Sequence, residues 1–179
     1  MRLNQISIQK IVLIGFRGAG KTTLAHLLAR ELQWEYFSTD RAIEQSVNLS
    51  IPEIVARHGW DFFRQKEAEI IQQVASRKRI VIDCGGGVVE NSRNMERLSP
   101  GALVVWVDAP LAELKQRLRQ AGNRPLLNQP DFDRDVEENY RRRLPLYRNY
   151  ANLRINTSEE SPEGAISRIL SHLPDRSVE

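Results

Sequence analysis

The sequence predicts an α/β sandwich, a mostly parallel sheet covered on both faces by helices. Short apolar runs rich in valine and isoleucine alternate with segments whose apolar residues recur at helical spacing. The first run, "KIVLIG" at 10–15, has no polar face, as expected of a strand covered on both sides. The 179 residues are the length of one domain and enough to bury a core.

The elements follow in order. "TTLAHLLARELQ" reads as a helix after the first strand, and "WEYFS" as a second strand that ends toward Asp40. "DRAIEQS" is a short helix. "SIPEIVARHG" opens with a capping box, because Ser50 can cap, Glu53 lies three residues on and Pro52 sits in the first turn. "DFFRQKEAEIIQQVASR" is a separate, longer amphipathic helix, and "IVIDC" a third strand running into "GGG". "ALVVWV" is a fourth strand and "LAELKQRLRQ" a helix, followed by the polar stretch "GNRPLLNQPDFD". In "RDVEENYRRRLPLY" Pro145 should kink or end the helix. "LRIN" is a short fifth strand, and a closing helix starts near Ser161-Pro162. In a sheet of this kind ligands gather at the carboxyl ends of the strands.

Composition excludes several classes. The formal charge is only +3, and the basic residues are mostly arginine, scattered among acids except for "RRR" at 141–143. No basic stripe with interleaved aromatics marks a nucleic-acid binder. The single cysteine, Cys84, cannot form an internal disulfide framework and fits a reducing cytosol. It reads as a small buried residue, since His26, His58 and His172 fall in unrelated helical contexts. "MRLNQISIQK" is too polar for a secretory core, and no apolar run approaches the ~20 residues that span a bilayer. A cytoplasmic protein, away from membranes and nucleic acid, is expected.

"GFRGAGKTT" at 15–23 carries the first chemistry. Gly15 to Thr22 match G-x-x-x-x-G-K-[ST] in full, between a strand and a helix. Gly15, Gly18, Ala19, Gly20 and Thr23 belong to a loop whose backbone N–H groups turn around an anion, next to the positive end of the helix dipole. Lys21 reaches the β and γ phosphates of a nucleoside triphosphate, and the Thr22 hydroxyl can ligate Mg²⁺. The base-reading N-K-x-D of a GTPase is absent. A small chain with an arginine-bearing loop late in the sequence suits a small-molecule kinase, which needs a lid to exclude water.

Four further elements line up behind this loop: "STDRAIE" (38–44), "FFRQKE" (62–67), "GGGVV" (85–89) and "NRPLL" with "RRLPLYR" (123–127 and 142–148). Together with the phosphate loop this ordered set resembles the shikimate kinases, over about residues 10–173. The resemblance implies a P-loop NTPase fold of the nucleoside-monophosphate-kinase kind, a three-layer α/β/α sandwich with a five-stranded parallel sheet ordered 2-3-1-4-5. It implies transfer of a phosphoryl group from MgATP to the 3-hydroxyl of shikimate, on the route to chorismate and the aromatic amino acids, by a monomer. Residues 1–179 then form one domain with a phosphate loop at 15–22, a substrate-binding subregion at about 39–68 and a lid at about 120–131.

The resemblance also implies roles. Asp40 binds and orients the attacking hydroxyl, alongside the plainer possibility that it caps the following helix. Arg64 and Arg143 bind the substrate carboxylate, and Glu67, at i+3, steadies Arg64. Arg141 and Arg142 have no such match and read as solvated. Gly85, Gly86 and Gly87 lie against the acceptor. Arg124 is a lid clamp on the transferred phosphate, while Arg117 and Pro162 flank adenine. Other readings are a kinase for another polyol acid, such as gluconate, or a catalytically weak ligand-binding homologue.

One position departs from the pattern. The family's D-x-D is "STD" here, so Ser38 replaces an Asp that helps hold Mg²⁺. Asp83, at the end of the strand expected beside the phosphate-loop strand, is the candidate substitute carboxylate for the metal, with Thr22, alongside the plainer possibility that it caps the glycine turn.

Overall fold

The computed structural model describes residues 8–121 and 131–174. Five strands, β1 (Lys10–Ile14), β2 (Glu35–Ser38), β3 (Ile80–Asp83), β4 (Ala102–Asp108) and β5 (Leu153–Asn156), pair in the order β2-β3-β1-β4-β5. Every pairing is parallel, as expected from the alternation of elements. The central strand β1 is buried along its whole length, which explains why its sequence shows no polar alternation. Register brings Asp83 level with Leu13 on one side and Ser38 on the other, so three strands end together where β1 runs into the phosphate loop.

The helices are α1 (Lys21–Leu32), α2 (Thr39–Val47), α3 (Ile51–Val74), α4 (Ser92–Leu98), α5 (Leu111–Ala121), α6 (Phe132–Tyr150) and α7 (Pro162–Leu170). The main core joins β1, β3, β4 and β5 to α1, with Leu24, Ala25 and Leu28 facing inward, and Tyr36 and Phe37 of β2 pack against it. A second, smaller cluster of Ile43, Ile51, Ile54, Phe63 and Ile70 packs α2 against α3. The predicted substrate subregion thus has a core of its own. Among the described residues no helix is long and apolar enough to cross a membrane.

Local expectations are met in part. Asp40 does not end β2; it stands in the first turn of α2, and the cap is Ser38, whose hydroxyl accepts from the Arg41 N–H at 3.3 Å. The two helices expected between Ser50 and Arg77 are present and meet at a kink at Gly59, whose backbone is non-helical within the span Ile51–Val74. Its start is as predicted, with the Ser50 N–H donating to Glu53 at 2.9 Å. α6 runs five residues past Pro145 without ending, because the proline lies on the solvent side, where water can serve the carbonyl it leaves unpaired. The seven residues of α4 were not legible, being too short and polar to show a period.

Gly59 has φ 79° and ψ 171°, a conformation open essentially to glycine alone. A Cβ there would meet nothing within 4 Å, so substitution strains only the backbone. Gly59→Ala is expected to cost about 1–3 kcal/mol in urea unfolding. A change within a few tenths would show that α3 passes this point without the break.

Candidate active site

The phosphate loop closes on itself. Lys21 is buried at the start of α1, and its Nζ donates to the carbonyls of Gly15 at 2.9 Å and Phe16 at 3.0 Å. Thr22 Oγ1 donates to Asp83 Oδ2 at 2.7 Å. Thr157, just beyond β5, donates to the Ala19 carbonyl and accepts from Arg117 Nη1, each at 3.0 Å. A cavity of about 1020 Å³ opens here, lined by Gly18, Gly20, Lys21, Thr22 and Thr23 on one side and by Asp40, Asp83 and Arg117 on others. Gly15 and the buried Ala19 back the loop. Pro162 opens α7 on the exposed surface and does not line this cavity.

A second, narrow cavity of about 40 Å³ abuts the first, sharing Arg17, Asp40, Ile51 and Gly86 with it. It adds Arg64, Arg143, Trp60, Phe63 and the glycines Gly85 and Gly87. The sequence-predicted acceptor residues are therefore brought together. Arg64 Nη1 donates to both oxygens of Glu67 at 3.0 Å, as the i+3 spacing implied. Arg143 is 3% exposed, and its Nη2 donates to Glu90 Oε2 at 2.8 Å.

The glycine run permits this convergence. A Cβ on Gly85 would stand 2.5 Å from Asp40 Oδ1, and one on Gly87 would stand 2.1 Å from Arg64 Nη2. Neither the carboxylate nor the guanidinium can sit where it does beside a side chain. Thr39 fixes the approach: its hydroxyl accepts from the Gly85 N–H at 3.0 Å and donates to the Asp83 carbonyl at 3.4 Å. That pins the start of α2, and with it Asp40, to the end of β3. Tyr147 of α6 donates to the Gly86 carbonyl from the other side.

Burial dominates the charge of Glu67, whose carboxyl is pushed up to about 7 against the pull of Arg64. Partial burial would also raise Glu90, but Arg143 and Arg142 outweigh it and leave its carboxyl below the usual range. Cys84 is the small buried residue expected, and that burial raises its thiol well above its ordinary value.

A magnesium ion commonly keeps several waters and takes one or two carboxylates plus substrate phosphates. Among the described residues no cluster of three or more acidic, histidine or cysteine side chains surrounds a metal position. One carboxylate, Asp83, and one hydroxyl, Thr22, in contact at the cavity wall are hard oxygen donors of the kind such an ion needs. The donor set fits.

Comparison with known proteins agrees with this geometry. The family model described as shikimate kinase matches residues 17–174. The chain belongs to the shikimate kinase family. The shikimate kinase of Synechococcus elongatus is 40% identical over 92% of this chain and 86% of its own length. That of Methylococcus capsulatus is 36% identical over 91% of each. A structure of shikimate kinase from Acinetobacter baumannii in complex with shikimate superposes with a TM-score of 0.85, at 32% identity over 92% of both chains.

Within this shikimate kinase framework, several site residues had escaped the sequence reading. Arg17, inside the phosphate loop, pairs with the fully buried Asp135 of α6 at 2.9 Å and faces both cavities. The signal was an arginine at an unconstrained motif position, which by itself is silent about its partner. Tyr36 and His26 stack at 3.8 Å on the wall of the large cavity, with the Tyr36 hydroxyl 3.4 Å from Asp83. Glu90, three residues beyond Gly87, was overlooked, although a charge so near a buried glycine run is a readable sign. Arg142 is not merely solvated, since it binds Glu90 Oε1 through Nε at 2.8 Å and Nη2 at 2.7 Å. Arg141 is 74% exposed and pairs with Glu137. Arg124 and nearly all of the predicted lid lie outside the described residues.

The raised Glu67 carboxyl gives a pH test. Between about 4.5, its ordinary value, and about 7, the unfolded chain has lost this proton while the folded chain keeps it. Rising pH therefore removes stability through that window, and the loss is complete above it. Glu67→Gln is expected to unfold at a urea midpoint that gains on the unaltered chain from pH 5 to 7.5. A constant difference would contradict the assignment.

Proposed function

We propose that this chain, like the family it belongs to, transfers the γ-phosphoryl group of ATP to the 3-hydroxyl of shikimate. The observation that carries this is the side-by-side pair of cavities: one is walled by the phosphate loop, the other by two converging arginines, and Asp40 lies where they meet. An acceptor needs a carboxylate for Arg64 and Arg143 and a hydroxyl at Asp40, pointed toward the nucleotide. Shikimate offers both.

In this reading Lys21 and the loop N–H groups offset charge on the β and γ phosphates. Asp40 orients the attacking hydroxyl and accepts its proton. Arg64 and Arg143 fix the ring by its carboxylate, which turns a chance encounter into a held one. Arg117, at the rim of the large cavity, faces the base, and Arg124 closes over the transferred group. Asp83 and Thr22 would hold Mg²⁺ against the phosphates, where it supplies charge neutralisation. The α2–α3 subregion serves as the acceptor's wall within one domain.

The test is ADP release from ATP with shikimate, quinate, gluconate and nucleoside monophosphates. Turnover with shikimate far above the rest is expected, and preference for gluconate would overturn the substrate assignment. Lys21→Ala should abolish transfer and leave the sheet intact, at the cost of its two loop hydrogen bonds; retained turnover would refute its role. Arg143→Ala should weaken acceptor binding about 10- to 150-fold, as expected for a charge-assisted pair, with ATP binding nearly unchanged. Equal losses for both ligands would assign it to folding instead. Asp83→Asn should raise the Mg²⁺ concentration for half-maximal activity, and adding Ser38→Asp should recover part of that loss. An unchanged metal dependence would remove Asp83 from the site.

A further inference from the structure

Glu90 is the carboxylate on which three arginines meet. Its Oε1 binds Arg142, and its Oε2 lies 2.8 Å from Arg143 Nη2 and 3.7 Å from Arg64 Nη2. Two of these guanidiniums, Arg64 and Arg143, are those assigned to the acceptor. Glu90 itself does not line the acceptor cavity, so it meets them from behind. Arg143 also carries a buried Nε that makes no hydrogen bond. A buried guanidinium N–H without a partner is costly and marks a donor awaiting an acceptor.

From this geometry we infer that Glu90 is a resident counter-ion: it neutralises Arg64 and Arg143 in the empty site and opposes the acceptor's carboxylate when that arrives. The inference rests on the acceptor assignment above. Like-charged guanidiniums repel when brought together in a site of low dielectric, and one of these is almost wholly buried. Glu67 can compensate Arg64, but Arg143 has Glu90 as its paired carboxylate. The same negative charge then stands close behind the position of an incoming carboxylate and repels it. Binding is consequently weaker than two bare arginines would give, and selective: a simple carboxylate gains too little to compete, while an acid that also places hydroxyls at Asp40 gains enough. Glu90 is thus a specificity-determining positioning residue, acting through the arginines. Arg142, bound to its other oxygen, draws part of its charge outward.

The test is Glu90→Gln, which keeps the shape and removes the charge. The KM for shikimate at saturating ATP and the calorimetric Kd are compared with those for the methyl ester of shikimate. Shikimate is expected to bind about tenfold tighter to the variant, as removal of a like charge a few ångströms away predicts, with the ester within twofold of its original affinity. The variant should melt lower when empty and be stabilised more by shikimate. Weaker binding of the acid, or equal changes for acid and ester, would overturn the inference and leave Glu90 as a brace for the arginines. A second measurement needs no variant: acetate should fail to compete with shikimate in the unaltered chain, and competition at modest ionic strength would overturn the inference. If the unaltered chain does not bind shikimate at all, the proposed function fails and this inference with it. If it binds, and Glu90→Gln binds no more tightly, only this inference fails.

Discussion

Two guanidiniums, Arg64 and Arg143, converge in a narrow, largely buried pocket, and most of the site can be understood as what that arrangement requires. Like charges do not stay together out of water unless carboxylates attend them. Glu67 reaches Arg64 from one turn along the same helix, and Glu90 reaches both arginines from beyond the glycine run. Space is the second requirement. Gly85 and Gly87 leave open the volumes that Asp40 and Arg64 occupy, so the backbone of the β3 terminus forms the floor of the pocket.

The sheet explains why these groups meet the phosphate loop at all. β1, β2 and β3 run parallel and in register, so the loop after β1, the start of α2 after β2 and the glycines after β3 emerge on one edge. Thr39 ties the last two together, and the Thr22–Asp83 contact ties the first to the third. Groups from well-separated parts of the chain are thereby held to a few ångströms by strand register, the rigid support that in-line phosphoryl transfer needs. Arg17, bonded to Asp135, extends the same network to α6.

Much of this was legible in the sequence, for identifiable reasons. The parallel α/β sandwich and the phosphate loop follow from alternating apolar runs and a full motif, the strand order comes only with the family resemblance, and Arg64 with Glu67 follows from helical spacing. The misreadings share a physical cause, namely that local pattern does not specify tertiary partners. Ser38 rather than Asp40 caps α2, because both residue types suit a cap and only the path of the chain out of β2 decides. Pro145 is carried inside α6, because its exposure makes the lost hydrogen bond cheap. Arg142 reads as a surface charge until the fold places it on Glu90, 52 residues away in sequence.

The central claim is that the arginines and Asp40 surround one small acid. A crystal structure of the chain with ADP and shikimate tests it most directly. The account predicts the shikimate carboxylate within hydrogen-bonding distance of both Arg64 and Arg143, with a ring hydroxyl at Asp40 facing the large cavity. A carboxylate bound away from both arginines, or a ring whose hydroxyls do not reach Asp40, would contradict it.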